Sequence, residues 1–144
     1  MEFASGEHRD DLFAGTPPLF AKKILLSLGA SSQKNDECLM ILDVKCAFLY
    51  GYIKRDLYVE VPPEDPRHGE GVVGKLLKSM YGTRDAAQNW EEEYGSTMLK
   101  LGFTKGLASP CVFYHEKRNL RVVVHGDDFT ILGLAADLDW FKER

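Results

Sequence analysis

The stretch Leu120–Leu132, LRVVVHGDDFTIL, limits the fold more than any other part of the chain. The β-branched run Val122–Val124 leads into His125-Gly126-Asp127-Asp128, and a second apolar run, Phe129 to Leu132, follows at once. Two β-rich runs separated by a tight glycine-acid pair predict a β-hairpin, with Gly126 supplying the positive φ that a short turn needs. Adjacent carboxylates are a costly choice for such a tip. Two of them about 4 Å apart repel by about 1 kcal/mol in water, and by several-fold more near a protein surface. A divalent cation with oxygen ligands turns that repulsion into attraction. An ordinary solvated Asp-Asp turn is the other reading of the same residues.

The 144 residues are the length of one domain, and 44% hydrophobic with 28% charged residues suffices for a packed core and argues against wholesale disorder. The net charge of −4 argues against free-standing affinity for polynucleotide, which rests on neutralising phosphates. Cys38, Cys46 and Cys111 have no paired metal-ligand spacing; Cys38 and Cys46 lie in or beside an apolar run and are expected to be buried free thiols in a reducing compartment. No apolar run is long enough to span a bilayer and no signal-peptide pattern opens the chain, so the expectation is an intracellular protein without membrane contact, cytoplasmic or also nuclear.

Along the chain, residues 1–15 are polar and without period. Thr16-Pro17-Pro18 predicts a helix start with Thr16 as N-cap, and Phe20, Ile24, Leu25 and Leu28 share one helical face expected to pack into the core, with Gly29 as the stop. Residues 31–36 are expected to form a polar loop. Cys38 to Leu42 predicts a strand buried on both faces, ending at Asp43; an acid there must be paired, hydrogen-bonded or metal-bound, and Lys45 or Arg84 is as good a partner as a metal. Leu57 to Val61 reads as an edge strand bounded by Pro62-Pro63, and Val72 to Met80 as another strand. Ala86, Trp90, Tyr94, Met98 and Leu101 form the apolar stripe of a long helix, with Gly102 at its C′ position. A short strand at Pro110 to Tyr114, the acidic hairpin and a final helix from Ala135 complete an α+β arrangement, an antiparallel sheet with helices packed against one face.

Four segments together resemble the reverse transcriptase of copia-type retrotransposons. DLFAGTPPLFAKKILLSLGA is similar to the family's stretch before its first catalytic motif, and LDVKCAFLYGYIKRDLYVEVPP to the motif with the first catalytic aspartate and the hairpin after it. KLLKSMYGTRDAAQNW resembles the segment ending in a helical Trp, and SPCVFYHEKRNLRVVVHGDDFTILG the approach to the paired-aspartate hairpin. All four occur in the family's order.

The resemblance implies a two-layer polymerase palm with part of the fingers over residues 1–144, incomplete because the amino-terminal fingers segment, thumb and RNase H lie outside it. It implies RNA-directed DNA polymerisation by two-metal nucleotidyl transfer, with Asp43 and Asp127 as principal ligands of two Mg²⁺ or Mn²⁺ ions and Asp128 in support. Phe48 matches the family's ribose-sensing aromatic, and Val44 and Lys45 would be backbone neighbours of the incoming dNTP. Implied partners are an RNA or DNA template with primer and the remaining polyprotein domains, integrase and RNase H. The acidic fragment by itself is expected to be inactive. The chain departs from the family at His125 and Gly126, at Asp85 where Gln is usual beside template and incoming base, and at Ala87 and Gly15, each in place of Pro. An extra negative charge at Asp85 is unfavourable beside phosphates, so Asp85→Gln is expected to raise activity once fingers and thumb are restored. These departures leave a second expectation open: a decayed or repurposed transposon-derived binding or interaction module without catalysis.

Overall fold

The structure, a computed structural model, describes residues 14–31 and 36–144. Most of the polar opening stretch, and residues 32–35 of the expected loop, lie outside the described residues. In chain order the elements are α1 (Leu19–Ser31), β1 (Glu37–Asp43), β2 (Tyr58–Glu60), β3 (Val73–Lys75), α2 (Ala86–Lys100), β4 (Thr104–Lys105), β5 (Val112–His115), β6 (Leu120–His125), β7 (Asp128–Leu134) and α3 (Ala135–Lys142). Short 3-10 turns cover Ala47–Tyr50 and Glu116–Arg118. The residues group into two compact units, Cys46–Glu93 and Ala14–Lys45 with Tyr94–Arg144.

The second unit is built on a five-stranded antiparallel sheet in the order β1-β7-β6-β5-β4. The β6–β7 hairpin is its centre, and Val122, Val124, Ile131 and Leu132 are fully buried. Cross-strand partners share a face. Val112, Val123, Thr130 and Leu132 therefore lie on one side with Leu39 and Ile41, while Phe113, Val122, Val124, Phe129 and Ile131 lie on the other. The latter side is packed with aromatic rings. Tyr94 of α2 meets Phe113 and Phe129 edge-on at centroid distances of 6.1 and 5.7 Å, and Phe141 of α3 packs against Phe103 and Phe129. The former side is covered by α1 through Leu25, which packs on Val123 and Leu132 with Ala21 and Val112 around them. The α+β class and the antiparallel sheet are as expected; the helices, however, divide between the two faces, α1 on one and α2 with α3 on the other.

Three local expectations are corrected. Of the proposed α1 stripe only Leu25 is buried; Phe20, Ile24 and Leu28 are exposed and line a groove of about 490 Å³ beside Gly106–Ser109 and β5–β6. The helix also starts later than Thr16, at Leu19, because each residue that precedes a proline is pushed out of the α region, which bars Thr16 and Pro17. It runs past Gly29 to Ser31, whose hydroxyl donates to the Ser27 carbonyl at 2.8 Å. β1 is an outer strand rather than a doubly buried one, with Ile41 65% exposed, since a short apolar run does not by itself say where in a sheet a strand sits. Cys38 and Cys46 are accordingly exposed, and only Cys111 is buried.

Of the expected α2 stripe, Ala86, Trp90, Tyr94 and Met98 are buried, while Leu101 is half-buried and lies one residue past the helix end. Its end is a Schellman motif, with the Phe103 amide donating to the Met98 carbonyl and the Gly102 amide to that of Leu99, both at 3.0 Å, and Gly102 at φ 93°.

In the Cys46–Glu93 unit, β2 and β3 pair antiparallel, but the strand expected over Val72 to Met80 is confined to Val73–Lys75. Beyond it Lys78 forms an isolated antiparallel bridge with Tyr52, donates to the Tyr50 carbonyl at 2.6 Å and sits over the Tyr52 ring. Gly51 permits the close approach of this segment to α2, since a Cβ there would stand 2.8 Å from the Asn89 carbonyl carbon.

Two glycines should therefore respond with opposite signs. Gly51→Ala meets backbone atoms that cannot swing aside and should destabilise by about 1–3 kcal/mol. Gly95→Ala, inside α2 with no heavy atom within 4 Å of the added Cβ, should stabilise by about 0.5–1 kcal/mol. Urea unfolding midpoints of the two variants against wild type decide both.

Candidate metal centre

β1 delivers Asp43 as its last residue, directly opposite Asp128, the first residue of β7. The β6–β7 turn is a two-residue loop, Gly126-Asp127, closed by the pairing of His125 with Asp128. Gly126 has φ 64° whereas Asp127 keeps a negative φ, the pattern of a type II′ turn, which accounts for glycine at the first central position. The β1–β7 ladder continues one step past the strands, because the Val44 amide donates to the Asp127 carbonyl at 3.0 Å. Three carboxylates from two chain segments thus arrive together. Asp43, Asp127 and Asp128 each offer an oxygen within 4.8 Å of the others, with Asp43 exposed and the other two half-buried.

These are hard oxygen donors, open to solvent on one side and carrying up to three negative charges. That donor set fits a divalent cation of the Mg²⁺ or Mn²⁺ type. On the β6 side of the group, Lys22 Nζ of α1 lies 3.3 Å from His125 Nδ1.

The chain matches the family described as "Reverse transcriptase (RNA-dependent DNA polymerase)" over residues 2–143. It belongs to that family. The type is copia-like: the chain is 31% identical over 137 residues to the retrovirus-related Pol polyprotein from transposon TNT 1-94 of Nicotiana tabacum, covering 92% of this chain and 10% of that protein. It is 32% identical over 95 residues to the Pol polyprotein from transposon RE1 of Arabidopsis thaliana, covering 64% of this chain and 6% of that one. The transposon Ty1-MR1 Gag-Pol polyprotein of Saccharomyces cerevisiae is 31% identical over 91 residues, or 62% and 5% of the two chains. The chain thus spans a tenth or less of these relatives' length. No solved structure matches it. Reverse transcriptases are RNA-directed DNA polymerases that generally use divalent metal ions. Among the described residues no helix is long and apolar enough to cross a membrane.

The other residues singled out for this reverse transcriptase domain fall as follows. Val44 is half-buried and bonded to the acidic turn, and Lys45 is exposed beside it. Cys46 turns the chain with a left-handed φ of 57°, after which Phe48 sits in the Cys46–Glu93 unit with its ring 4.7 Å from that of Tyr81.

Asp85 differs from expectation. It is 5% exposed, accepts from Arg55 NH2 at 3.1 Å and from Asn89 Nδ2 at 3.2 Å, and Asn89 in turn reaches the buried Ser79 hydroxyl at 2.9 Å. Burial pushes the Asp85 carboxyl up, but the Arg55 hydrogen bond and charge and the Asn89 amide outweigh it and hold the group below the usual carboxylate range. The charge is therefore balanced within its own unit, and Asp85→Gln would remove the ion pair with Arg55. Neither Arg55, 30 residues from its partner, nor Lys22, 103 residues from His125, carries a local pattern that announces the contact.

A depressed pKa contributes stability above the unfolded-state value of about 4, and that contribution is lost as pH falls through the lower folded value. Asp85→Asn should hence destabilise at neutral pH, with the gap to wild type closing on acidification. Urea unfolding compared between about pH 7 and about pH 3 checks this; a gap that does not change with pH would refute it.

Proposed function

We propose that this chain is the nucleotidyl-transfer portion of a copia-type reverse transcriptase, the sheet unit forming the palm and the Cys46–Glu93 unit part of the fingers. The observation that carries the proposal is the convergence of Asp43, Asp127 and Asp128 within 4.8 Å in a chain of polymerase ancestry. Asp43 and Asp127 are the principal ligands of two Mg²⁺ or Mn²⁺ ions and Asp128 supports them. Ions held there would lower the pKa of a primer 3′-hydroxyl and stabilise the departing pyrophosphate. The protein's part is placement. The two strands hold the carboxylates in register, and the Val44–Asp127 hydrogen bond ties the turn to the end of β1. Val44 and Lys45 lie along the incoming triphosphate. The Phe48 ring takes the space of a ribose 2′-hydroxyl, favouring deoxynucleotides. The substrates are an RNA or DNA template with primer and dNTPs, and the partners are the integrase and RNase H domains of the same polyprotein.

A repurposed, non-catalytic module would be favoured by a disordered or mispaired acidic turn, or by an uncompensated Asp85. Gly126 instead fits its turn, and Asp85 is paired.

Mn²⁺ binding followed by calorimetry tests the assignment. Asp43→Asn and Asp127→Asn should each weaken it by about tenfold or more, as expected when one charged oxygen ligand is removed. Equal binding by wild type and both variants would reject the site. A primer-template requires a basic channel, and a net charge of −4 does not provide one. The chain alone should extend no primer in a polymerase assay on an RNA template, and processive extension would overturn that expectation.

A further inference from the structure

Phe48 stands half-buried in the 3-10 turn Ala47–Tyr50, and its ring meets that of Tyr81 at a centroid distance of 4.7 Å with the planes tilted by 49°. Both residues belong to the Cys46–Glu93 unit. We propose that Tyr81 is the positioning residue for Phe48: it backs the ring and fixes the direction in which that ring meets the sugar of an incoming nucleotide. This rests on the reading of Phe48 as the group that takes the space of a ribose 2′-hydroxyl.

Exclusion by a side chain is only as strong as that side chain's resistance to turning aside. The outer torsion of a phenylalanine is broad, so a half-buried ring with nothing behind it can rotate and admit the hydroxyl. A second ring supplies the hold, because tilted aromatic pairs are favourable beyond the area they bury. Tyr81 suits this task through the way its own backbone is fixed. The Thr83 amide donates to the Met80 carbonyl at 3.0 Å, and Gly82 has φ 92° while Tyr81 keeps a negative φ. That is the pattern of a type II turn with Tyr81 at its first central position. The Thr83 hydroxyl donates to the same carbonyl at 2.8 Å. Just before the turn, the Ser79 amide donates to the Gly51 carbonyl at 2.8 Å and Lys78 Nζ to the Tyr50 carbonyl, tying the Tyr81 turn to the one that carries Phe48. The buried Ser79 hydroxyl accepts from Asn89 of α2, and Tyr50 packs on Trp90 of the same helix at 6.2 Å. The two turns are thus fixed to each other and to α2, and the rings they carry meet. Tyr81 is 49% exposed, so little of the core depends on it, and replacing it probes its contact with Phe48 rather than the fold.

The test titrates the manganese complexes of dATP and of ATP into the Mn²⁺-loaded chain and compares the two affinities by calorimetry. Wild type should prefer dATP, and Phe48→Ala should not. Tyr81→Ala should lower the preference by about two- to tenfold, the range that the interaction of one aromatic pair can enforce. The change should come from tighter ATP binding with dATP affinity little altered, which a merely structural role would not produce. Tyr81→Leu, which keeps apolar bulk without a ring, should move the preference in the same direction. Tyr81→Phe should stay close to wild type, since the ring makes the contact. Tyr58→Ala, at an exposed tyrosine of β2, should change neither affinity. A preference unchanged in both Tyr81→Ala and Tyr81→Leu, or an equal loss of affinity for the two nucleotides, overturns the role of Tyr81 while leaving that of Phe48 standing. A wild type without preference for dATP, or a preference indifferent to Phe48→Ala, overturns the reading of Phe48 and this role with it.

Discussion

The pairing of β1 with β7 is the contact on which the site depends. Side-chain direction alternates along a strand, so a slip of one residue would send Asp43 to the opposite face from Asp128. On a strand exposed at the sheet edge, burial alone enforces register weakly. Other contacts pin it at both ends. Glu37 at the start of β1 accepts from Arg121 at 2.9 Å and from Asn119 at 3.1 Å. Past its end, the Val44 amide reaches the Asp127 carbonyl. Between them α1 presses on the strand: a Cβ at Gly29 would stand 3.3 Å from Leu132 and 3.7 Å from Leu39, paired residues of β7 and β1. Polar contacts and a close helix thus supply the specificity that burial supplies to an inner strand.

Clustered carboxylates oppose folding unless their charge is met, so the remainder of the unit must be stable without them. The β6–β7 hairpin provides this. Leu120, Val122, Val124, Ile131 and Leu132 are fully buried, and the rings of Tyr94, Phe129, Phe103 and Phe141 interlock behind the turn. Burial of that kind contributes roughly 1.5–3 kcal/mol for each large apolar side chain, against a repulsion of about 1 kcal/mol for each exposed acid pair. Each such side chain outweighs the repulsion of an exposed acid pair, and the pairing of β7 with both β1 and β6 holds the acidic tip in register.

Much of this was legible in the sequence, and the division follows the physics. The acidic hairpin, its glycine, the α2 stripe and the Gly102 cap are written in local spacing and in the backbone needs of single residues. The convergence of Asp43 with Asp127 was legible only through the order of the motifs, since nothing local says that β1 lies beside β7. The position of β1 at the edge, the exposure of Cys38 and Cys46 and the thin burial of α1 were not legible. An apolar run reports that a segment prefers an apolar neighbour; it does not report whether one neighbour or two will be found. The Arg55–Asp85 pair was not legible for a related reason. Asp85 in isolation is an added charge in a phosphate-binding family, and its meaning changes only when a residue 30 positions away is brought against it.

The two faces of the sheet differ in a way that bears on the chemistry. The side with Phe113, Phe129 and Ile131 is packed with rings from α2 and α3. The side with Asp43 and Asp128 is covered by α1 through a single buried residue, Leu25, with a groove left between helix and sheet and with Ile41 open to solvent. Carboxylates that are to hold a cation must stay accessible on one side while another side is packed well enough to keep them still. In this sheet the division falls between its faces: alternating residues of the same strands build the core on one side and present the acids on the other. The apolar residues that α1 leaves unburied line the groove over β5 and β6 rather than filling it, so the face that carries the acids is the less closely packed of the two.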